Sequence, residues 1–133
     1  MAQETAVHRV DVAQTCGERW TVEPELAADG VAEAFELWLG TRLGTQVGGS
    51  GRATRLMTIV GAGGPFVDWT IRPLKTIVEF RTGPADADAT VTGSPAALWA
   101  WTWGRSDVDH RVDTAGDPQA AEELRALLGR AQQ

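Results

Sequence analysis

The sequence predicts an α+β domain: a mostly antiparallel sheet of four to five strands with helices on one face. Three observations carry this. Apolar residues recur at three-to-four spacing over residues 26–39 and 121–128, whereas residues 54–82 alternate with a period of two. Ser94-Pro95 and Asp117-Pro118 are each a capping side chain followed by proline, the signature of a helix start. The length of 133 residues suits one domain, and 43% hydrophobic against 23% charged is a globular balance.

Gln3 to Cys16 contains no helix breaker, and Gly17 stands where a C-terminal cap belongs, so a first helix is expected there. Its apolar stripe (Ala6, Val7, Val10, Ala13) is thin, and a helix of this length is marginal alone, so it needs a surface to pack on. Pro24 opens a second helix running to Leu39. Leu26, Ala27, Val31, Ala34, Phe35, Trp38 and Leu39 face inward, and Glu25, Asp29, Glu33 and Glu36 fall largely on the other side. The Gly-rich stretch Gly44–Arg52 reads as a mobile loop. Thr54–Val60, Phe66–Arg72 and Lys75–Thr82 are then three strands of a meander, turning at 61–65 and at Arg72-Pro73-Leu74. Asp88–Thr92 is a short fourth strand. A third helix runs from Ser94-Pro95 through Trp103 and stops at Gly104, and Val108–Asp113 is read as a fifth strand. Asp117-Pro118 opens a last helix with Ala121, Leu124, Leu127 and Leu128 inward.

Charge and composition exclude several function classes. A net charge of −6 disfavours a dedicated nucleic-acid binder, which needs clustered Lys and Arg against phosphates. The longest uncharged run, 89–104, is broken by Gly93-Ser94-Pro95 and is shorter than the ~20 apolar residues of a membrane span. Residues 1–20 carry Glu4, Arg9, Asp11, Glu18 and Arg19, which leaves no signal-peptide core, and a soluble, cytoplasmic protein is expected. Cys16 stands alone, so neither an internal disulfide nor a Cys-rich zinc site can form. The charge is uneven: residues 1–36 hold eight acids and two bases, residues 42–81 six bases and two acids. The basic stretch is either a solvated sheet face or a pocket for a small anionic ligand.

The usual catalytic signatures are missing. The glycines at 48–51 and 61–64 match neither a phosphate loop nor a dinucleotide fingerprint, and Arg52 breaks a nucleophile elbow at Ser50. Two features remain. Six tryptophans are many for this length, and Trp99 and Trp103 share one face of the third helix while Trp101 points elsewhere. They are either core filling with one exposed ring, or the lining of an apolar ligand cleft between helix and sheet to which Arg105 adds a polar group. Glu4 and His8, four apart on the first helix, face one direction and could reach one metal ion, although a catalytic zinc site needs about three protein ligands. His110 falls on the expected fifth strand, with nothing to bring it to His8.

The motifs Glu4-Thr-Ala-Val-His8-Arg-Val-Asp11 and Leu26-Ala-Ala-Asp-Gly30-Val-Ala-Glu33, then Asp88-Ala-Thr-Val-Thr-Gly93-Ser94, Trp103-Gly-Arg105 and Gly116-Asp117-Pro118, occur in this order. Together they resemble the mycothiol-dependent maleylpyruvate isomerase family over about residues 4–128. The Ala-, Gly- and Arg-rich composition is that of a high-GC genome, which agrees with an actinobacterial thiol.

The resemblance implies a full-length architecture of two parts. An N-terminal DinB-like helical bundle holds a divalent metal on a His-Glu-His set, and a C-terminal α+β domain has a sterol-carrier-protein-like fold. On this basis residues 1–17 correspond to a stub of the last bundle helix, with Glu4 and His8 as two of the metal ligands, and residues 18–133 to the sterol-carrier-like domain. The third ligand and the rest of the bundle have no counterpart here. Arg105 is the nearest match to an arginine that the family's C-terminal domain lends to the active site. In complete enzymes, zinc or another divalent metal would hold the mycothiol thiolate that adds to the substrate.

The expectation for this chain is a non-catalytic accessory domain that binds no cofactor by itself. It would pack on a helical-bundle partner and line a cleft for a small apolar or anionic molecule with Trp99, Trp101, Trp103 and Arg105. The alternatives are an isomerase or thiol transferase completed in trans, and a free-standing carrier of apolar molecules. The exposed first helix makes self-association a further expectation.

Overall fold

The structure, a computed structural model, describes residues 2–36, 39, 46–59, 65–83 and 85–132. Trp38, the turn at 61–64 and the start of the expected loop at 44–45 lie outside the described residues. Helix α1 is Ala2–Thr15 and α2 is Pro24–Glu33; strands β1, β2, β3 and β4 are Thr54–Thr58, Asp68–Pro73, Val78–Thr82 and Ala89–Gly93. Helix α3 (Pro95–Thr102), strand β5 (Asp113–Gly116) and helix α4 (Pro118–Ala131) complete the order.

The helix ends follow the capping chemistry of the sequence. Gly17 takes φ +69°, which lets Glu18 N–H return to the Ala13 carbonyl at 2.8 Å and closes α1. Ser94 and Asp117 accept from the backbone N–H of Ala97 and Gln119 at the starts of α3 and α4. Beyond Glu33, α2 widens into a π-helical turn over 34–36, so the regular helix ends earlier than the apolar spacing suggests.

The sheet order is β3-β2-β1-β4-β5. Its pairings are antiparallel except for β1 with β4, where Leu56 stands beside Val91 in parallel register, so the sheet is mixed. Period-two alternation puts Leu56, Trp69, Ile71, Phe80 and Val91 on one face, under the helices. There they meet Phe35, Leu98, Trp99, Leu124 and Leu128 in one core.

The fifth strand is displaced from its expected position. It begins at Asp113 rather than running over 108–113, because the Asp107 carboxylate accepts from the N–H groups of Asp109 and His110 and bends 107–110 into a tight turn. Val108 is 73% exposed in that turn, and His110 lies in it, not on a strand. Pro73 likewise ends β2 opposite Val78 instead of forming the turn, and β3 starts at Val78, not Lys75.

The expected mobile loop is anchored in its described part. Gly48, Gly49 and Gly51 donate to the carbonyls of Lys75, Leu74 and Pro73, each at 2.8 Å. Gly49 presses on Pro73 so closely that a Cβ there would collide with it.

Helix α1 packs on α2 and is bonded to α3. Ala6, Val10 and Ala13 are buried, and the buried Gln3 donates to the Leu26 carbonyl and accepts from Trp99 Nε1, both at 2.9 Å. Trp103 Nε1 donates to the Gly30 carbonyl at 3.1 Å. Gly30 is what allows this approach: a Cβ there would lie 2.5 Å from Gln3 Oε1 and 2.6 Å from Trp99 Cδ1.

Candidate functional site

The residues singled out in the sequence do not gather at one cavity. Trp99, Trp101 and Trp103 are all buried, and Trp99 and Trp103 stack at 6.3 Å between ring centroids. Trp20 meets Trp99 edge-on at 5.9 Å and stacks on His110 at 3.8 Å. Rings thus fill a buried layer among α1, α2 and α3, and no tryptophan is exposed among the described residues.

Arg105 does not face that layer. Its guanidinium grips Asp11 on α1 through two bonds of 3.0 and 2.9 Å and donates to the Trp103 carbonyl at 2.6 Å. The hydrogen bonds and charge of Arg105 hold the Asp11 carboxyl below the usual carboxylate range, against the opposing effect of burial.

Glu4 and His8 lie exposed on the outward side of α1, one turn apart. Among the described residues, no group of three or more His, Cys, Asp and Glu side chains is placed to hold a metal ion. The described residues therefore do not by themselves fit a complete divalent-metal site.

The uneven charge of the sequence has a spatial counterpart on the opposite face of the sheet. Arg55 on β1, Thr70 on β2 and Arg81 on β3 are successive neighbours across three strands, and Arg72 stands beside Glu79 in the next row but one. All five point away from the helices, since Leu56, Ile71 and Phe80 between them point inward.

The chain itself walls this face. β3 and β4 run in the same direction with β2 and β1 between them, so their short connection must cross the sheet. It is held at one end by Gly83 N–H on the Asp68 carbonyl and at the other by Asp88 N–H on the Ala53 carbonyl. Ala85 and Asp86, with Arg55, Thr70, Arg72, Glu79, Phe80 and Arg81, line a half-open cavity of about 660 Å³. That is room for a small molecule.

Within the cavity the arginines differ in their freedom. Arg55 is bound to Asp68 by two bonds of 2.8 and 2.6 Å, and those bonds raise its already high pKa. Arg72 donates one N–H to the Gly51 carbonyl at 2.6 Å. Arg81 is exposed, and its side chain makes no hydrogen bond or ion pair among the described residues. Thr70 is 6% exposed, and its hydroxyl is buried without a hydrogen-bond partner. An orphaned hydroxyl beside uncommitted guanidinium N–H groups can serve the oxygens of a carboxylate or similar anion. The excess of bases over 42–81 signals this cavity in the sequence; the residues that complete it, Ala85 and Asp86, carry no motif.

A second cavity of about 440 Å³ lies at the rim, between Gln46–Gly48, Lys75 and α4. No helix among the described residues is long and apolar enough to cross a membrane.

Comparison with known proteins bears on both fold and family. The sequence profile of the MDMPI C-terminal domain, MDMPI being the isomerase family that the motifs resemble, matches residues 25–123. None of the curated proteins matches the sequence. Among solved structures, one described as "UbiJ-SCP2 Ubiquinone synthesis protein" superposes with a TM-score of 0.53 at 17% identity, covering 80% of this chain and 96% of that one. Sterol Carrier Protein 2 Like 2 from Aedes aegypti gives a TM-score of 0.51 at 18% identity, with 77% and 96% covered. At such identities the likeness is one of fold.

Proposed function

The chain belongs to the MDMPI C-terminal domain family, and on that premise we propose that it is a ligand-binding accessory domain whose cavity lies on the open face of the sheet. Its ligand is a small polar molecule carrying an anionic group. The observation that supports this is the uncommitted Arg81 beside the orphaned Thr70 hydroxyl in a cavity of about 660 Å³. An apolar cargo, the counterpart of what a sterol carrier's name describes, has less support here: Phe35, Leu98 and Trp99 are packed into the core beneath and among the helices with none of their surface exposed. Calorimetric titration with valerate, a five-carbon carboxylate, tests the reading. Arg81→Gln is expected to weaken binding several-fold; equal affinity in the two proteins would overturn it.

A second reading is supported by the lock between Arg105 and Asp11. It holds α1 against the α+β body while Glu4 and His8 face outward. This arrangement suits a helical-bundle partner that supplies the remaining ligands of a divalent metal, with mycothiol as the thiol of the completed enzyme. Glu4 and His8 would be this chain's contribution to the metal, and α1 the surface that meets the partner.

A further inference from the structure

We propose that the cavity on the open sheet face selects a dipolar ligand, with a carboxylate at one end and an ammonium at the other, of the amino-acid or short-peptide class. This rests on the ligand-binding reading above and narrows it. The ground is the distribution of charge around the cavity. Arg55 is neutralised by Asp68 at 2.6 Å, which leaves Arg72 and Arg81 as the active cations. Two carboxylates line the same cavity, Glu79 from β3 and Asp86 from the β3–β4 connection.

None of Arg81, Glu79 and Asp86 forms an ion pair or side-chain hydrogen bond among the described residues, so their charges stand uncompensated toward the cavity. Two cations and two anions sum to zero. A simple anion drawn by Arg81 is repelled by Glu79 and Asp86, whereas a ligand carrying both signs is attracted by both.

The spacing agrees. Glu79 and Arg81 are two apart on β3 and share a face, which sets their Cα atoms about 6.6–7 Å apart. Thr70, opposite Arg81, adds a hydroxyl at the carboxylate end. A chain of about five carbons spans the two ends.

The test is an NMR titration of the wild-type protein with 5-aminovalerate, valerate and glutarate. These three have equal chain length and differ in the charge at one end. 5-Aminovalerate is expected to bind tightest. Asp86→Asn should weaken 5-aminovalerate about two- to fivefold, the range of a solvent-exposed charge pair, and tighten glutarate by a similar factor. Glu79→Gln should act in the same directions, and Arg81→Gln should weaken all three. Both acids are exposed, so these variants are expected to fold. If glutarate binds tightest, or Asp86→Asn tightens 5-aminovalerate, the dipolar assignment is overturned while the cavity remains an anion site. If no probe shifts the amides around the cavity, both proposals fail.

Discussion

Gly30 is the point where α1, α2 and α3 meet, and replacing it with alanine tests whether α1 is an integral part of the domain. The added Cβ would stand 2.5 Å from Gln3 Oε1, 2.6 Å from Trp99 Cδ1 and 2.8 Å from Trp99 Nε1. Overpacking of this kind costs about 1–3 kcal/mol. Separating Gln3 from Trp99 leaves a buried indole N–H unpaired, for a further ~1–3 kcal/mol. The gain in helix propensity offsets about 1 kcal/mol. The net loss is about 1–5 kcal/mol, a fall in Tm of about 4–18 °C for a chain of this size. Gly129→Ala is the matched control. Gly129 also lies within a helix, but a Cβ there meets nothing within 4 Å, so the same substitution should raise stability by about 0.5–1 kcal/mol. Thermal unfolding followed by circular dichroism reads both. A Gly30→Ala protein as stable as the wild type would show that α1 does not pack on α2 and α3 in this way.

Other predictions follow from the same contacts. Asp11 is held low by Arg105; Asp107, despite burial that would raise it, is held low by the hydrogen bond and charge of His110. Groups whose folded pKa is depressed stabilise the fold above their unfolded value of about 3.9, and that contribution is lost as pH falls through the folded values. Stability should therefore decline below about pH 4. Asp11→Asn should cost no more than about 1 kcal/mol at pH 7, since the pair is partly exposed, and should flatten the acid limb; an unchanged acid limb would remove this pair from the account. Ser94→Ala should cost about 1 kcal/mol by unmaking the cap of α3, measured by urea unfolding. Native mass spectrometry with micromolar zinc should show no stoichiometric metal on the chain alone. Uptake abolished by His8→Ala would instead mean that Glu4 and His8 recruit further ligands by themselves.

The parts of the fold legible in the sequence are those set by local chemistry. Gly17, Ser94-Pro95 and Asp117-Pro118 mark helix boundaries because each satisfies backbone groups within a few residues. Leu56, Ile71 and Val91 reveal a buried sheet face by alternation alone. What escapes the sequence depends on partners distant along the chain. The parallel pairing of β1 with β4 follows from a crossover no local pattern announces, and β5 shifts because Asp107 captures the turn that precedes it. Arg105 carries the composition of a site residue, yet its guanidinium is bound by Asp11, 94 positions away. The tryptophans are equally ambiguous in sequence, since a ring that fills a core and a ring that lines a cleft obey the same periodicity. The cavity is half legible: its arginines raise the local positive charge, but the carboxylate of Asp86 reaches it only because the β3–β4 connection crosses that face.

The proposed ligand site lies on the open face of the sheet and not in the core beneath the helices. Chemical-shift mapping with 5-aminovalerate at saturation tests it directly, because the two locations have separate reporters. Backbone amides of Arg55, Thr70, Arg72, Arg81 and Asp86 surround the cavity, while the indole N–H groups of Trp99 and Trp103 lie buried on the other side. Shifts are expected to cluster on the first set, with the indole signals unmoved. Shifts concentrated on Trp99 and Trp103, with the open face silent, would contradict this placement and move the ligand into the core among the helices.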